Sequence, residues 1–149
     1  MGILSSKHTN DDDNQTASDF HFPSSKKALI IFTRNPELGK VKTRLAKTVG
    51  NDSALEIYKF LLKHTVEISE NLNVDKFVFY SENIYRDDIW NEGNFRKKLQ
   101  TGNDLGERMN NAFSEIFGMG YEKAIIIGSD MFDLSQNDLE IAFDALQTN

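Results

Sequence analysis

Ala28-Leu29-Ile30-Ile31-Phe32 is a continuous apolar run with no polar residue at alternate positions. A strand with one wet face alternates, because successive side chains point to opposite sides. A run without alternation suits a strand covered on both faces. Phe77-Val78-Phe79-Tyr80 and Ala124-Ile125-Ile126-Ile127 have the same character. Between the first two runs, residues 51–72 place Leu55, Tyr58, Leu62 and Val66 on one helical stripe. Ile57, Leu61 and Ile68 widen it, and Asp52 or Ser53 is placed to cap it. Leu105, Met109, Ala112, Phe113 and Ile116 repeat at helical spacing ahead of the third run, with Gly118 read as the stop. Residues 83–100 are mixed and predict only a short strand ending near Gln100, and a last helix is expected from Gln136, capped by Ser135. Doubly covered strands alternating with amphipathic helices predict a doubly wound α/β domain, a mostly parallel sheet with helices on both faces.

The chain has 149 residues, 39% of them hydrophobic, which suffices for one ordinary core but not two. Residues 1–26 are rich in Ser, Thr, Asn, Asp and Lys and show no apolar period. They are expected to be a disordered tail, leaving residues 27–149 as the domain. Met1-Gly2 followed by Ser6 meets the minimal myristoylation pattern, as many unmodified proteins do, and no hydrophobic signal segment follows. No apolar stretch is long enough to cross a bilayer, so no membrane partner is expected. A net charge of -6 and a pI near 5.0 repel polyanions over most of the surface, which argues against a nucleic-acid polymer as partner. Any anion site must be local. The chain has no cysteine, which removes disulfides, thiolate metal sites and thiol nucleophiles and is compatible with the expected cytoplasmic location.

Parallel sheets bind ligands at the carboxyl ends of their strands, so the segments that follow the apolar runs carry the functional signal. After the first comes Thr33-Arg34-Asn35-Pro36-Glu37-Leu38-Gly39-Lys40-Val41-Lys42-Thr43-Arg44, with four cations against the single acid Glu37. Crowding like charges costs repulsion unless an anion neutralises them, and a following helical turn adds backbone N–H groups and a favourable dipole. Arg34, Gly39, Lys40, Lys42, Thr43 and Arg44 are therefore candidate phosphate contacts, the alternative being a solvated loop with no ligand. The loop is not a Walker motif, because Arg34 occupies the first glycine position and Val41 follows Lys40. After the third run, Gly128-Ser129-Asp130-Met131-Phe132-Asp133 offers the carboxylates Asp130 and Asp133 as ligands for Mg²⁺ or Mn²⁺. The alternative is a turn in which either acid accepts backbone hydrogen bonds. Between these segments, Gln100-Thr101-Gly102-Asn103-Asp104-Leu105-Gly106-Glu107-Arg108-Met109 opens a helix with Asp104 and Glu107 at capping-box spacing. Glycine in a first helical turn costs about 1 kcal/mol relative to alanine, so Gly106 suggests close approach by another group. Gly102, Asp104, Gly106 and Arg108 complete the candidate binding set. No histidine lies near a motif, and none is assigned as a base.

Taken together and in this order, the three segments resemble the glycosyltransferase-A-like transferases known as radical-SAM/selenodomain-associated transferases, over residues 28–146. The resemblance implies a nucleotide-diphospho-sugar transferase fold, similar also to the guanylyltransferases of molybdenum-cofactor and phospholactate pathways. It further implies that Lys40, Lys42 and Arg44 hold nucleotide phosphates and that Asp130 holds the metal, with Asp130, Lys42 and Arg44 as the catalytic set. Such proteins usually have Cys-Pro where this chain has Met131-Phe132. They also continue, beyond the position of Asn149, into further strands and a glycine-rich acidic segment. The chain is accordingly expected to be C-terminally truncated relative to them, with its acceptor side incomplete.

The expected function is metal-dependent transfer from a nucleotide-sugar or nucleotide donor to a small-molecule acceptor. Transfer of this kind depends mainly on positioning and electrostatics, with cations stabilising charge on the leaving group. Glycosyl transfer, which releases a nucleoside diphosphate, and nucleotidyl transfer, which releases pyrophosphate, both stay open. So does a nucleotide-binding domain without catalysis.

Overall fold

The computed structural model describes residues 25–37 and 39–147. The tail expected over residues 1–26 lies outside the described residues except for Ser25 and Lys26. In chain order the elements are β1 (Lys27–Thr33), α1 (Thr43–Val49), α2 (Asn51–Ser69), β2 (Asp75–Tyr80), β3 (Arg96–Leu99), α3 (Leu105–Gly118), β4 (Lys123–Gly128) and α4 (Gln136–Gln147). The sheet order is β3-β2-β1-β4 and each neighbouring pair is parallel.

The missing alternation in the sequence is explained by two cores, one on each face of the sheet. Leu29 and Ile31 of β1 and Val78 of β2 pack with Tyr58 and Leu62 of α2 and with Leu139 and Phe143 of α4. Ala28, Ile30, Phe77 and Phe79 pack on the other face against Ala112 and Ile116 of α3. Central β1 is the most deeply covered strand, with Ala28, Leu29, Ile30 and Ile31 all at 0% exposure. Burying a Leu or Ile side chain stabilises by about 1.5–3 kcal/mol, so these positions fix both the register and the layering. The doubly wound α/β arrangement read from the sequence is the one observed.

Two local expectations change, while the short strand expected to end near Gln100 is found as β3. The helix predicted over residues 51–72 ends at Ser69, and it starts without a side-chain cap because Gly50, at φ 92°, closes α1 and opens α2 together. Gly118 is not the left-handed stop of α3; the chain passes Met119 in right-handed geometry and takes positive φ at Gly120, at 105°. The connection from β2 to β3 has no helix, although parallel crossovers usually contain one. Side chains hold it instead. Asp88 accepts from the Tyr80 hydroxyl at 2.5 Å and from Lys97 Nζ at 2.9 Å, and the Lys97 side chain is fully buried. Trp90 donates its backbone N–H to the same carboxylate at 2.9 Å and meets Phe95 edge-on, with ring centroids 5.1 Å apart. Burial, reinforced by the Asp88 carboxylate, pushes the Tyr80 phenol well above the usual tyrosine range. Among the described residues, no helix is long and apolar enough to cross a membrane.

Candidate functional site

Because β1 and β4 are parallel neighbours with Phe32 opposite Gly128, the loop after β1 and the turn after β4 leave the sheet side by side. Ser129 continues the ladder by donating its N–H to Phe32 O at 3.0 Å. Below the two segments lies the hydroxyl of Tyr58, on the buried stripe of α2. It donates to Arg34 O at 2.9 Å, accepts from Arg34 N at 3.1 Å and sits 3.2 Å from Ser129 Oγ. Two helical turns further on, Thr65 Oγ1 donates to Ser129 O at 2.8 Å. Tyr58, Thr65 and Ser129 are all buried, so these bonds are shielded from water and fix the two segments relative to each other.

Above this network is a cleft of about 220 Å³ whose charged lining consists of Arg34, Lys40, Lys42 and Asp130. Lys42 Nζ reaches across it to within 3.5 Å of Asp130 Oδ2. Lys42 caps α1 at φ 49°, a left-handed conformation that costs a non-glycine residue about 1–2 kcal/mol. Gly128 precedes the turn that holds Asp130, and a Cβ added there would lie 3.2 Å from Asp130 Oδ1. The crowding of cations seen in the sequence is relieved in space. Arg34 pairs with Glu82 at 3.7 Å, Lys40 with Glu37 at 3.2 Å and Lys42 with Asp130. Half-exposed pairs of this kind are worth about 0–1 kcal/mol, so a phosphate can replace the carboxylates at little cost.

The remaining candidates separate. Gly39 takes φ 79° in the loop, while Thr43 and Arg44 form the exposed first turn of α1 and do not line the cleft. Arg44 makes no ion pair among the described residues. Asp133 is exposed and lies outside the cleft lining, and Ser135 caps α4 reciprocally with Asp138. Among the described residues there is no group of three or more His, Asp or Glu placed to hold a metal ion. Asp104 is the N-cap of α3 and accepts from Glu107 N at 2.8 Å. Arg108 is occupied structurally: its guanidinium donates to Gly102 O at 3.0 Å and to Ser81 O and Gln100 Oε1 at 3.1 Å. The close approach attributed to Gly106 belongs to Gly102, at φ 136°, where a Cβ would meet Arg108 N at 2.9 Å. At Gly106 the nearest atom is Asp104 Oδ1 at 3.6 Å, so no neighbouring group demands glycine there.

With this geometry established, the comparisons with known proteins bear on it. The model of a family described as "uncharacterized protein conserved in bacteria (DUF2064)" matches residues 65–149, which is more than half of the chain. The chain belongs to the DUF2064 family. The crystal structure of a "putative nucleotide-diphospho-sugar transferase" from Desulfovibrio desulfuricans G20 is similar to the DUF2064 chain, with 32% identity and a TM-score of 0.73. The match covers 83% of this chain and 55% of that one, so the chain spans about half the length of its solved neighbour. No curated protein matches the chain. The fold is thus that of the nucleotide-diphospho-sugar transferases, and the cleft lies at the carboxyl edge of its sheet.

Sequence reasoning missed Tyr58, Ser129 and Glu82. Tyr58 reads as one more apolar position of the α2 stripe, and nothing in a helical period distinguishes a core tyrosine from one whose hydroxyl joins two loops. Glu82 follows the Tyr80-Ser81 end of β2, and the rule that sent attention to the carboxyl ends of strands applies equally there.

Proposed function

We propose that the DUF2064 chain binds the diphosphate of a nucleotide-sugar or nucleotide donor in the cleft between the loop after β1 and the turn after β4, as part of a metal-dependent, glycosyltransferase-like transferase. The observation that carries this reading is the meeting of Lys42 Nζ and Asp130 Oδ2 at 3.5 Å, with Arg34 and Lys40 on the same cleft. Three cations around one carboxylate suit a polyanion accompanied by a divalent ion, since Mg²⁺ takes one or two protein carboxylates and fills its shell with phosphate oxygens and water. Asp130, about half exposed, is the residue that would hold Mg²⁺ or Mn²⁺. The ion would supply further neutralisation of the diphosphate. Lys40 and Lys42 then offset charge on the leaving phosphate, and Arg34, fixed through its backbone by Tyr58, orients the donor at the rim.

Thermal stabilisation by a panel of nucleoside triphosphates and nucleotide-sugars, with and without Mg²⁺ or Mn²⁺, tests the reading. A metal-dependent shift with one donor, lost in Asp130→Ala, is expected. Absence of any shift would remove the donor site. The released product then separates the transfer classes: a nucleoside diphosphate marks glycosyl transfer and pyrophosphate marks nucleotidyl transfer. A second reading, donor binding without turnover, is favoured by one observation, that among the described residues Asp130 is the only carboxylate lining the cleft. Shifts without product would establish it.

A further inference from the structure

The two outer strands of the sheet differ in kind. β3, at one end of the order β3-β2-β1-β4, reads Arg96-Lys97-Lys98-Leu99. Charged side chains on an edge strand, including inward ones such as the buried Lys97, discourage a further strand from adding. β4, at the other end, reads Lys123-Ala124-Ile125-Ile126-Ile127-Gly128 and carries no charge between Lys123 and Asp130. That is the composition of an interior strand. Yet Ala124, Ile125 and Ile126 are partly buried, whereas Ala28, Leu29, Ile30 and Ile31 of β1, which is paired on both sides, are fully buried.

Backbone direction shows what the open edge offers. Along a strand, successive residues turn their N–H and C=O groups to alternate sides. Lys123 N and Ser129 N both donate toward β1, to Lys26 O at 3.1 Å and to Phe32 O at 3.0 Å. Ala124, Ile126 and Gly128 therefore turn theirs outward, and among the described residues no strand pairs with that side. Helix α3 extends the same surface. On one flank Arg108 reaches Ser81 and Gln100, and Glu115 pairs with Lys98 at 2.7 Å, so that flank lies toward β2 and β3. Phe113 and Phe117 lie on the opposite flank, toward β4, with ring centroids 5.9 Å apart and planes within 11°, and Phe117 is 37% exposed.

We propose that β4 pairs with β4 of a second copy of this chain, antiparallel about a two-fold axis at Ile126. Ala124 then faces Gly128 of the second copy and Ile126 faces Ile126, each facing pair exchanging two N–H···O bonds. Side chains directly opposite in such a pair share a face, so Ile125 meets Ile127 on the face covered by α4, and the two Phe113–Phe117 stacks approach across the axis on the other. A two-fold contact uses the same patch on both partners, and the outward groups of β4 are symmetric about Ile126. The neutral strip favours a like copy over a charged partner: it offers no counter-charge, and it lets two chains of net charge -6 meet where neither repels the other.

The test is sedimentation velocity of the full chain over a concentration series, with amide exchange read residue by residue at both ends of the series. A species of twice 17.0 kDa should grow with concentration. In it, the amides of Ala124, Ile126 and Gly128 should exchange at least about tenfold more slowly than in the monomer. Those of Lys97 and Leu99 should not change, because Gln100 N donates to Tyr80 O and so places them on the outer side of β3. Ala124→Pro deletes an outward N–H while sparing the ladder to β1, and Phe117→Lys puts a charge on the exposed flank. Each should raise the dissociation constant at least about tenfold with the far-UV spectrum unchanged; if the proline variant unfolds, Phe117→Lys decides alone. A monomer at every concentration overturns the proposal. So does protection of the three amides that is independent of concentration, which would mean that another part of this chain covers the edge. A dimer in which those amides exchange freely, or which no folded variant weakens, overturns it too, because its seam lies elsewhere.

Discussion

At the scale of single residues, the cleft is held by groups whose contribution comes through geometry more than charge. Tyr58→Phe removes one oxygen and leaves the packing of the ring intact. It strands Arg34 N and the buried Ser129 hydroxyl, so a loss of about 1–2 kcal/mol in the urea unfolding free energy is expected. Donor affinity should fall as well, because the two segments that share the ligand lose their common anchor. Gly128→Ala should behave differently. The added Cβ meets Asp130 Oδ1 at 3.2 Å, and a carboxylate at the end of an exposed side chain can swing away cheaply. Stability should change by less than about 1 kcal/mol. The Mg²⁺ dependence of donor binding should weaken clearly, since the displaced group is the proposed ligand. A metal titration on the two variants separates these effects: Tyr58→Phe lowers donor affinity with and without metal, and Gly128→Ala lowers only the metal-dependent part.

Elements show where sequence reading succeeds and why it stops. The start of α3 was legible because capping is local: Asp104 and Glu107 sit within one turn, and their roles follow from unsatisfied N–H groups at any helix start. The reason for the nearby glycines was not local. Gly102 is required by the backbone of the next turn folding back on it, while Gly106 meets only Asp104 Oδ1 at an ordinary 3.6 Å, and the spacing of the two residues cannot reveal which is which. The substitutions should therefore have opposite signs. Gly102→Ala combines φ 136° with a 2.9 Å contact to backbone nitrogen, and should destabilise by about 1–3 kcal/mol. Gly106→Ala should raise the unfolding free energy by up to about 1 kcal/mol through helix propensity. Chemical denaturation of the two variants checks both signs. A fall in donor affinity in the more stable Gly106→Ala would place a ligand against the first turn of α3. The connection between β2 and β3 was illegible for a similar reason. Its order comes from Asp88, Lys97 and Tyr80 meeting in space, a polar cluster with no period.

For the molecule as a whole, the sheet was the easiest feature to read, since a parallel strand buried on both faces has to be apolar throughout and β1, β2 and β4 are. Short β3, Arg-Lys-Lys-Leu, gave almost no such signal, because an edge strand half covered by charged side chains need not be apolar. The phosphate cleft was half legible: Lys40, Lys42 and Asp130 could be nominated from position alone, but only the fold brings Lys42 to Asp130 and turns Arg44 away. The sheet also carries a buried tyrosine at each end. Tyr80 donates to Asp88 at the carboxyl edge and Tyr121 to Asp75 at the amino edge, and in both burial first and the neighbouring carboxylate second push the phenol above its ordinary value of 10.0. A raised folded-state value means that the native protein keeps the proton longer than the unfolded chain does. The resulting stability is complete below about pH 10 and is lost as pH rises from there toward the folded-state values. Lys76, lowered by burial from 10.5, acts in the opposite sense and offsets part of this slope. Urea midpoints between about pH 8 and about pH 11 should therefore fall in the wild type and fall less in Tyr80→Phe and in Tyr121→Phe, each of which removes one titrating phenol but leaves Lys76 in place. Equal slopes in all three proteins would mean that alkaline unfolding begins elsewhere and that neither tyrosine pair locks its edge of the sheet.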